Sequence, residues 1–135
     1  MATPPVHPAI LSVGRALPPN YVDQETLIRA LTVHWASRHH NADRLADVHR
    51  AAQVGGRHLA LPLAEYPALD SFQKANDAFI RVGVEVGEAA IRAALDQAGL
   101  APADVDQLWF VTVTGISTPS LDAKLANRLG LKKSV

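Results

Sequence analysis

SFQKANDAFIRVGVEVGEAAIRAALDQAGLAPADVDQLWFVTVTG, residues 71–115, is the stretch whose reading decides the fold. Over residues 71–98 the charged side chains are Lys74, Asp77, Arg81, Glu85, Glu88, Arg92 and Asp96. They recur every three or four positions, which makes one stripe along a helix of 3.6 residues per turn. Arg81 stands four residues from both Asp77 and Glu85, and Arg92 four from both Glu88 and Asp96, so opposite charges neighbour one another. The rest of the surface is apolar, with Phe72, Phe79, Val82, Val86, Ala90 and Ala93 in one row and Ile80, Val84, Ile91 and Leu95 in another. At 1.5 Å per residue such a helix is roughly 40 Å long. Its apolar arc is wider than a surface helix needs, which predicts burial between layers. Gly83, Gly87, Ala89, Ala90, Ala93 and Ala94 are small enough to admit another backbone closely. Gly99-Leu100 predicts a C-terminal cap, and Pro102 prevents continuation.

Beyond the cap, residues 107–113 form a continuous apolar run bounded by turn signals, which predicts a strand covered on both faces, as in a parallel sheet. A second helix should follow at once, with Ser117 or Thr118 as its cap and Pro119 at its first position. Leu121, Leu125 and Leu129 fall on one face of it, and Gly130-Leu131 repeats the glycine-leucine stop. Ligands of open α/β sheets bind outside the carboxyl ends of strands. That rule directs attention to the loop Thr114-Gly-Ile-Ser-Thr118.

The first third of the chain adds a strand expected within residues 6–16, around Ala9-Ile-Leu-Ser-Val13, and a turn at Leu17-Pro-Pro-Asn20, where proline fixes φ and cannot donate to a ladder. A helix should begin at Asp23, with Val22 and Leu27 placed as a hydrophobic staple and Leu27, Leu31 and Trp35 continuing its face. From Arg38 the sequence turns polar, predicting a loop and then a helix over residues 43–53 that Gly55-Gly56 breaks. Residues 60–69, with two prolines, read as an ordered loop leading into the long helix. No internal repeat or low-complexity tract is present.

Composition bounds the answer without supplying a function. With 135 residues and 48% hydrophobic content, one domain with one core is the prior. Thirteen basic and thirteen acidic residues balance, which leaves no electrostatic footprint for nucleic acid or an anionic membrane. The apolar stretches are strand-length, predicting no membrane span, and the opening Met-Ala-Thr-Pro-Pro-Val-His-Pro lacks the pattern of a signal peptide, so the cytoplasm is the expected compartment. The chain contains no cysteine, hence no disulfide and no thiolate metal site. Its six histidines, His7, His34, His39, His40, His49 and His58, form no helical ligand pair, so no metal or other cofactor is expected. Ser117 sits in no Gly-x-Ser-x-Gly elbow.

Taken in order, Tyr66-Pro-Ala-Leu-Asp-Ser-Phe, Lys74-Ala-Asn-Asp, Gly87-Glu-Ala-Ala-Ile-Arg-Ala-Ala-Leu95, Thr112-Val-Thr-Gly115, Pro119-Ser-Leu-Asp122 and Arg128-Leu-Gly-Leu131 resemble a bacterial type III polyketide synthase of the chalcone and stilbene synthase family. The likeness extends upstream through Ala9-Ile-Leu-Ser-Val-Gly-Arg-Ala-Leu-Pro18 and Gly56-Arg57-His58, so it covers nearly the whole chain. It implies an α/β architecture: the N-terminal part of a thiolase-like fold, with an incomplete mixed sheet and the long helix buried, over residues 1–135 as one domain. It also implies a homodimer in which a cysteine thiolate takes an acyl group from coenzyme A and extends it with malonyl-CoA by decarboxylative condensation.

In that family the cysteine, histidine and asparagine that perform the chemistry lie beyond the segment matched here, the cysteine on the next strand-to-helix turn. The chain stops at Leu131-Lys-Lys-Ser-Val135, just before that turn. The expectation is therefore an N-terminal piece from a truncated or split gene or an interrupted reading frame, with no catalytic residue of its own and no condensation activity alone. A ketoacyl synthase or hydroxymethylglutaryl synthase relative, which shares the fold, and a non-catalytic partner of an intact synthase are the alternatives.

The resemblance also implies site residues. Arg44, Arg50 and Arg57 are the candidates for the phosphates of coenzyme A, a role that suits the bidentate guanidinium. Solvated surface arginines for Arg44 and Arg50, and a structural ion pair for Arg57, are the plainer readings. Thr114 is the candidate lining the acyl cavity, and Thr118 the one reaching across the dimer into the partner's cavity. Against these stand a turn closed by Thr114 and a helix cap at Thr118.

Overall fold

The computed structural model describes residues 7–35 and 41–135. Arg38, His39, His40, the start of the expected first strand at Val6 and the side chain of Trp35 lie outside that description. The elements run β1 (Asn20–Asp23), α1 (Gln24–Trp35), α2 (Ala42–Ala51), β2 (Gly56–Leu59), a 3-10 turn (Leu63–Ala68), α3 (Phe72–Ala98), a 3-10 turn (Pro102–Asp104) and α4 (Leu121–Leu129). They fall into two compact units, one over Leu17–Val82 and the other joining Gly83–Val135 to the described residues up to Ala16.

In the first unit β1 and β2 pair antiparallel, Tyr21 opposite His58 and Asp23 opposite Gly56. The two aromatic rings meet edge to face with centroids 5.2 Å apart, and His58 Nδ1 donates to the Pro18 carbonyl at 2.7 Å. Gly56 is required where it stands, because a Cβ there would lie 2.3 Å from the Tyr21 hydroxyl. The Asp23 carboxylate accepts the Thr26 N–H at 2.9 Å and so caps α1, as the sequence predicts. Asn41 does the same for α2, accepting from the Arg44 N–H. The two helices are tied by Arg50, whose Nε and Nη2 reach the two carboxylate oxygens of Glu25 at 3.0 and 2.9 Å, and by Gln24 Nε2, which donates to the His49 carbonyl at 2.8 Å. Leu27, Ile28, Leu61, Ala78 and Val82 are buried in this unit.

The second unit is built on the later part of α3. Ser12 Oγ donates to the Ala94 carbonyl at 2.7 Å, and the Gly14 backbone runs so close that a Cβ would lie 2.0 Å from Ala90 O and 2.5 Å from Ala94 N. The small residues of α3 therefore admit another backbone, as their spacing predicts. On α4, Leu121, Leu125 and Leu129 are all buried, and a Cβ at Gly87 would touch the Leu125 methyls at 3.1 Å. Both helices end in the same motif. Gly99 and Gly130 adopt φ of +67° and +66°, Leu100 N donates to Leu95 O and Leu131 N to Ala126 O.

Of the incomplete mixed sheet, the described residues show one ladder, the antiparallel β1–β2 pair. Several element-level expectations fail. Residues 9–13 and 107–113 form no strand, because a strand exists only against a neighbour and none is supplied. The run 107–113 is also not covered on both faces, since Trp109, Val111 and Val113 are exposed. On α3, only Ala78, Val82 and Val84 are buried and Phe72 is exposed, so the wide apolar arc is partly bare. Finally, α4 starts at Leu121 with Ser120 at the cap position in extended geometry, leaving Ser117, Thr118 and Pro119 outside the helix. The charged stripe stays on the surface, but the ion pair it forms with itself is Glu88–Arg92, while Glu88 also takes Arg128 from α4 at 2.7 Å and Lys74 reaches back to Asp70.

Candidate functional site

The five candidate residues separate into two sets, one in each compact unit. Arg44 lies in the first turn of α2 and Arg50 in its last, while Arg57 lies on β2, opposite Val22. All three are exposed. Arg50 is already engaged by Glu25, and the same contact holds the Glu25 carboxyl below its usual range, first through the hydrogen bond from Arg50. Among the described residues no ion pair forms at Arg44 or Arg57, whereas Arg50, whose plainer reading is a solvated surface arginine, pairs with Glu25. Of the three candidates, Arg44 and Arg57 thus keep exposed guanidinium donors that no ion pair among the described residues engages.

Thr114 and Thr118 sit at the two ends of the loop after residues 107–113, and both are exposed. The loop is held by short-range contacts: Thr114 N donates to Thr112 Oγ1 at 3.1 Å, and Ser117 Oγ donates to the Pro119 carbonyl at 2.5 Å. The peptide bond between Thr118 and Pro119 is cis. Since Ser120 occupies the cap position of α4, the Thr118 side chain is not used as the cap that one reading of the sequence gave it.

A feature that sequence reasoning missed is an apolar cavity of about 400 Å³ in the first unit, lined among others by Leu27, Leu31, His34, Leu63, Tyr66 and Leu69. The helical spacing of Leu27, Leu31 and His34 marks one wall, but the opposite wall comes from the 3-10 turn, which no periodicity announces. Among the described residues no group of three or more histidine, cysteine, aspartate or glutamate side chains could hold a metal ion, and no helix is long and apolar enough to cross a membrane.

The arrangement is found in solved structures. The 1,3,6,8-tetrahydroxynaphthalene synthase of Streptomyces coelicolor A3(2), a bacterial type III polyketide synthase, superposes with a TM-score of 0.77 at 25% identity, over 91% of this chain and 36% of that one. A fungal type III polyketide synthase, ORAS, superposes with a TM-score of 0.81 at 21% identity, over 93% of this chain and 34% of that one. The fold is therefore that of the N-terminal part of a type III polyketide synthase, which is thiolase-like.

In sequence, the family described as chalcone and stilbene synthases, N-terminal domain, matches residues 5–135. The 1,3,6,8-tetrahydroxynaphthalene synthase of Streptomyces peucetius subsp. caesius is 40% identical over 129 residues. That alignment covers 94% of this chain and 34% of the relative, so the chain spans about a third of that relative's length. The chain belongs to the chalcone and stilbene synthase family.

Proposed function

We propose that this chain serves as the N-terminal portion of a type III polyketide synthase, which condenses an acyl-CoA starter with malonyl-CoA by decarboxylative Claisen extension, and that alone it condenses nothing. The observation that carries this reading is a family match over residues 5–135 in a chain without a single cysteine. Thioester exchange from coenzyme A needs a thiolate of lowered pKa, and decarboxylation needs donors aimed at the developing enolate. The 135 residues supply no thiol for the first of these.

What they supply is binding surface. Arg44 and Arg57 contact the phosphates of coenzyme A, which their open guanidinium donors favour, and Arg50 contributes only by leaving Glu25. Thr114 lines the acyl cavity of its own subunit and Thr118 that of the partner in a homodimer. Their exposure, at the end of the apolar run, supports this role. They shape the volume open to the growing chain and so act on product length.

The test is a covalent chimera in which these residues replace the matching third of the Streptomyces peucetius synthase. Turnover of malonyl-CoA by the chimera supports the reading, and a folded but silent chimera overturns it. Within an active chimera, Arg44→Gln and Arg57→Gln should each raise KM for malonyl-CoA roughly tenfold with kcat little changed, since a hydrogen bond to a charged group contributes about 1.5–3 kcal/mol.

A further inference from the structure

Residues 11–16 and the run 107–113, both in the second compact unit, follow the alternation of a strand, the latter through Val111, although neither has a strand beside it among the described residues. In the first run Ser12, Gly14 and Ala16 are half-buried, with Ser12 and Gly14 against α3, while Leu11, Val13 and Arg15 are exposed. In the second run Leu108 and Phe110 are half-buried, whereas Trp109 is 81% and Val111 89% exposed and Val113 is fully so. Trp109 Nε1 donates to Gln107 Oε1, putting side chains two residues apart on the same side, as in an extended strand. Each run therefore turns one set of alternate side chains outward, Leu11 and Val13 with Arg15 in the first and Trp109, Val111 and Val113 in the second, along a backbone that is in no ladder among the described residues.

Such a combination is a template for strand addition, in which main-chain hydrogen bonds supply affinity and alternate side chains supply register. The occupant follows from length. The solved structures that share this fold at TM-scores of 0.77 and 0.81 are matched over only 36% and 34% of their chains, so most of each lies beyond the matched part. A second copy of this chain brings the same third again and none of the remainder.

We propose that the chain, read as above as the N-terminal portion of a type III synthase, captures the remaining two thirds of such a synthase when these are supplied as a separate polypeptide. The docking surface is formed by the exposed faces of residues 11–16 and 107–113. The association is non-covalent, and it yields a complex holding the thiol that this chain lacks.

The experiment co-expresses the full chain, tagged, with the part of the Streptomyces peucetius synthase C-terminal to its matched segment, and follows co-purification and release of carbon dioxide from malonyl-CoA. The expected result is a stable complex, with slowed amide exchange over residues 107–113. Val111→Lys changes a side chain already in solvent and should leave helical content unaltered while reducing recovered complex at least tenfold. Failure of the unsubstituted chain to co-purify overturns the proposal, as does indifference to Val111→Lys, or a self-associated chain that excludes the added polypeptide. A complex that forms but stays silent supports the docking surface while counting against the proposed function. An active covalent chimera with no complex in trans does the reverse.

Discussion

Gly14 is the residue on which the packing of the second unit turns. Any side chain there meets backbone and not a flexible tip, with Ala90 O at 2.0 Å and Ala94 N at 2.5 Å from the position of a Cβ. Relief requires moving a chain segment, so Gly14→Ala should destabilise by about 1–3 kcal/mol, read as a shift in urea midpoint followed by circular dichroism. Glu88 acts through charge. Hydrogen bonding from Arg92, together with the nearby charge of Arg128, holds its carboxyl below the ordinary glutamate value of 4.5. A carboxyl depressed in the folded state binds fewer protons there than when unfolded. Its contribution is therefore complete above the ordinary value and is lost as pH falls through that value towards the lowered one. Asp23, Glu25 and Asp122 shift in the same direction. The melting temperature should fall on acidification through this window, and Glu88→Gln should make the decline shallower while lowering the melting temperature at neutral pH. An unchanged slope in the variant would remove Glu88 from the account.

At the scale of elements, helices were legible in the sequence and strands were not. A helix satisfies its backbone within its own segment, so periodicity and caps suffice: the charged stripe and Gly99 delimit α3 to within a residue, and Asp23 and Gly130 mark the start of α1 and the end of α4. A strand depends on what lies beside it. The apolar content of residues 107–113 suits a strand, but no neighbour is present among the described residues. The strands that do form, β1 and β2, are four residues each and fall where proline, asparagine and glycine signalled only turns. The leucine face of α4 offers the corresponding test. Leu125 is 1% exposed and packs on Gly87, so Leu125→Ala should cost about 2–5 kcal/mol, whereas Leu100→Ala, at a 40% exposed position, should cost far less in the same denaturation experiment.

For the whole molecule, the two compact units hold the two kinds of binding group proposed above, arginines in one and threonines in the other. None of the five was legible from spacing or charge. Isolated arginines and loop threonines have no periodic signature, and their roles rest on likeness to a family whose thiol this chain does not contain. The structure contributes the distinction between Arg50, occupied by Glu25, and Arg44 and Arg57, which form no ion pair among the described residues. It also moves Thr118 off the helix cap. The central claim, binding surface without a nucleophile, is tested most directly by one assay: release of carbon dioxide from malonyl-CoA by the purified chain, with the covalent chimera run beside it. The account predicts release by the chimera and none above a buffer blank by the chain alone. Release by the chain alone would contradict it, because no group among its 135 residues is assigned that chemistry.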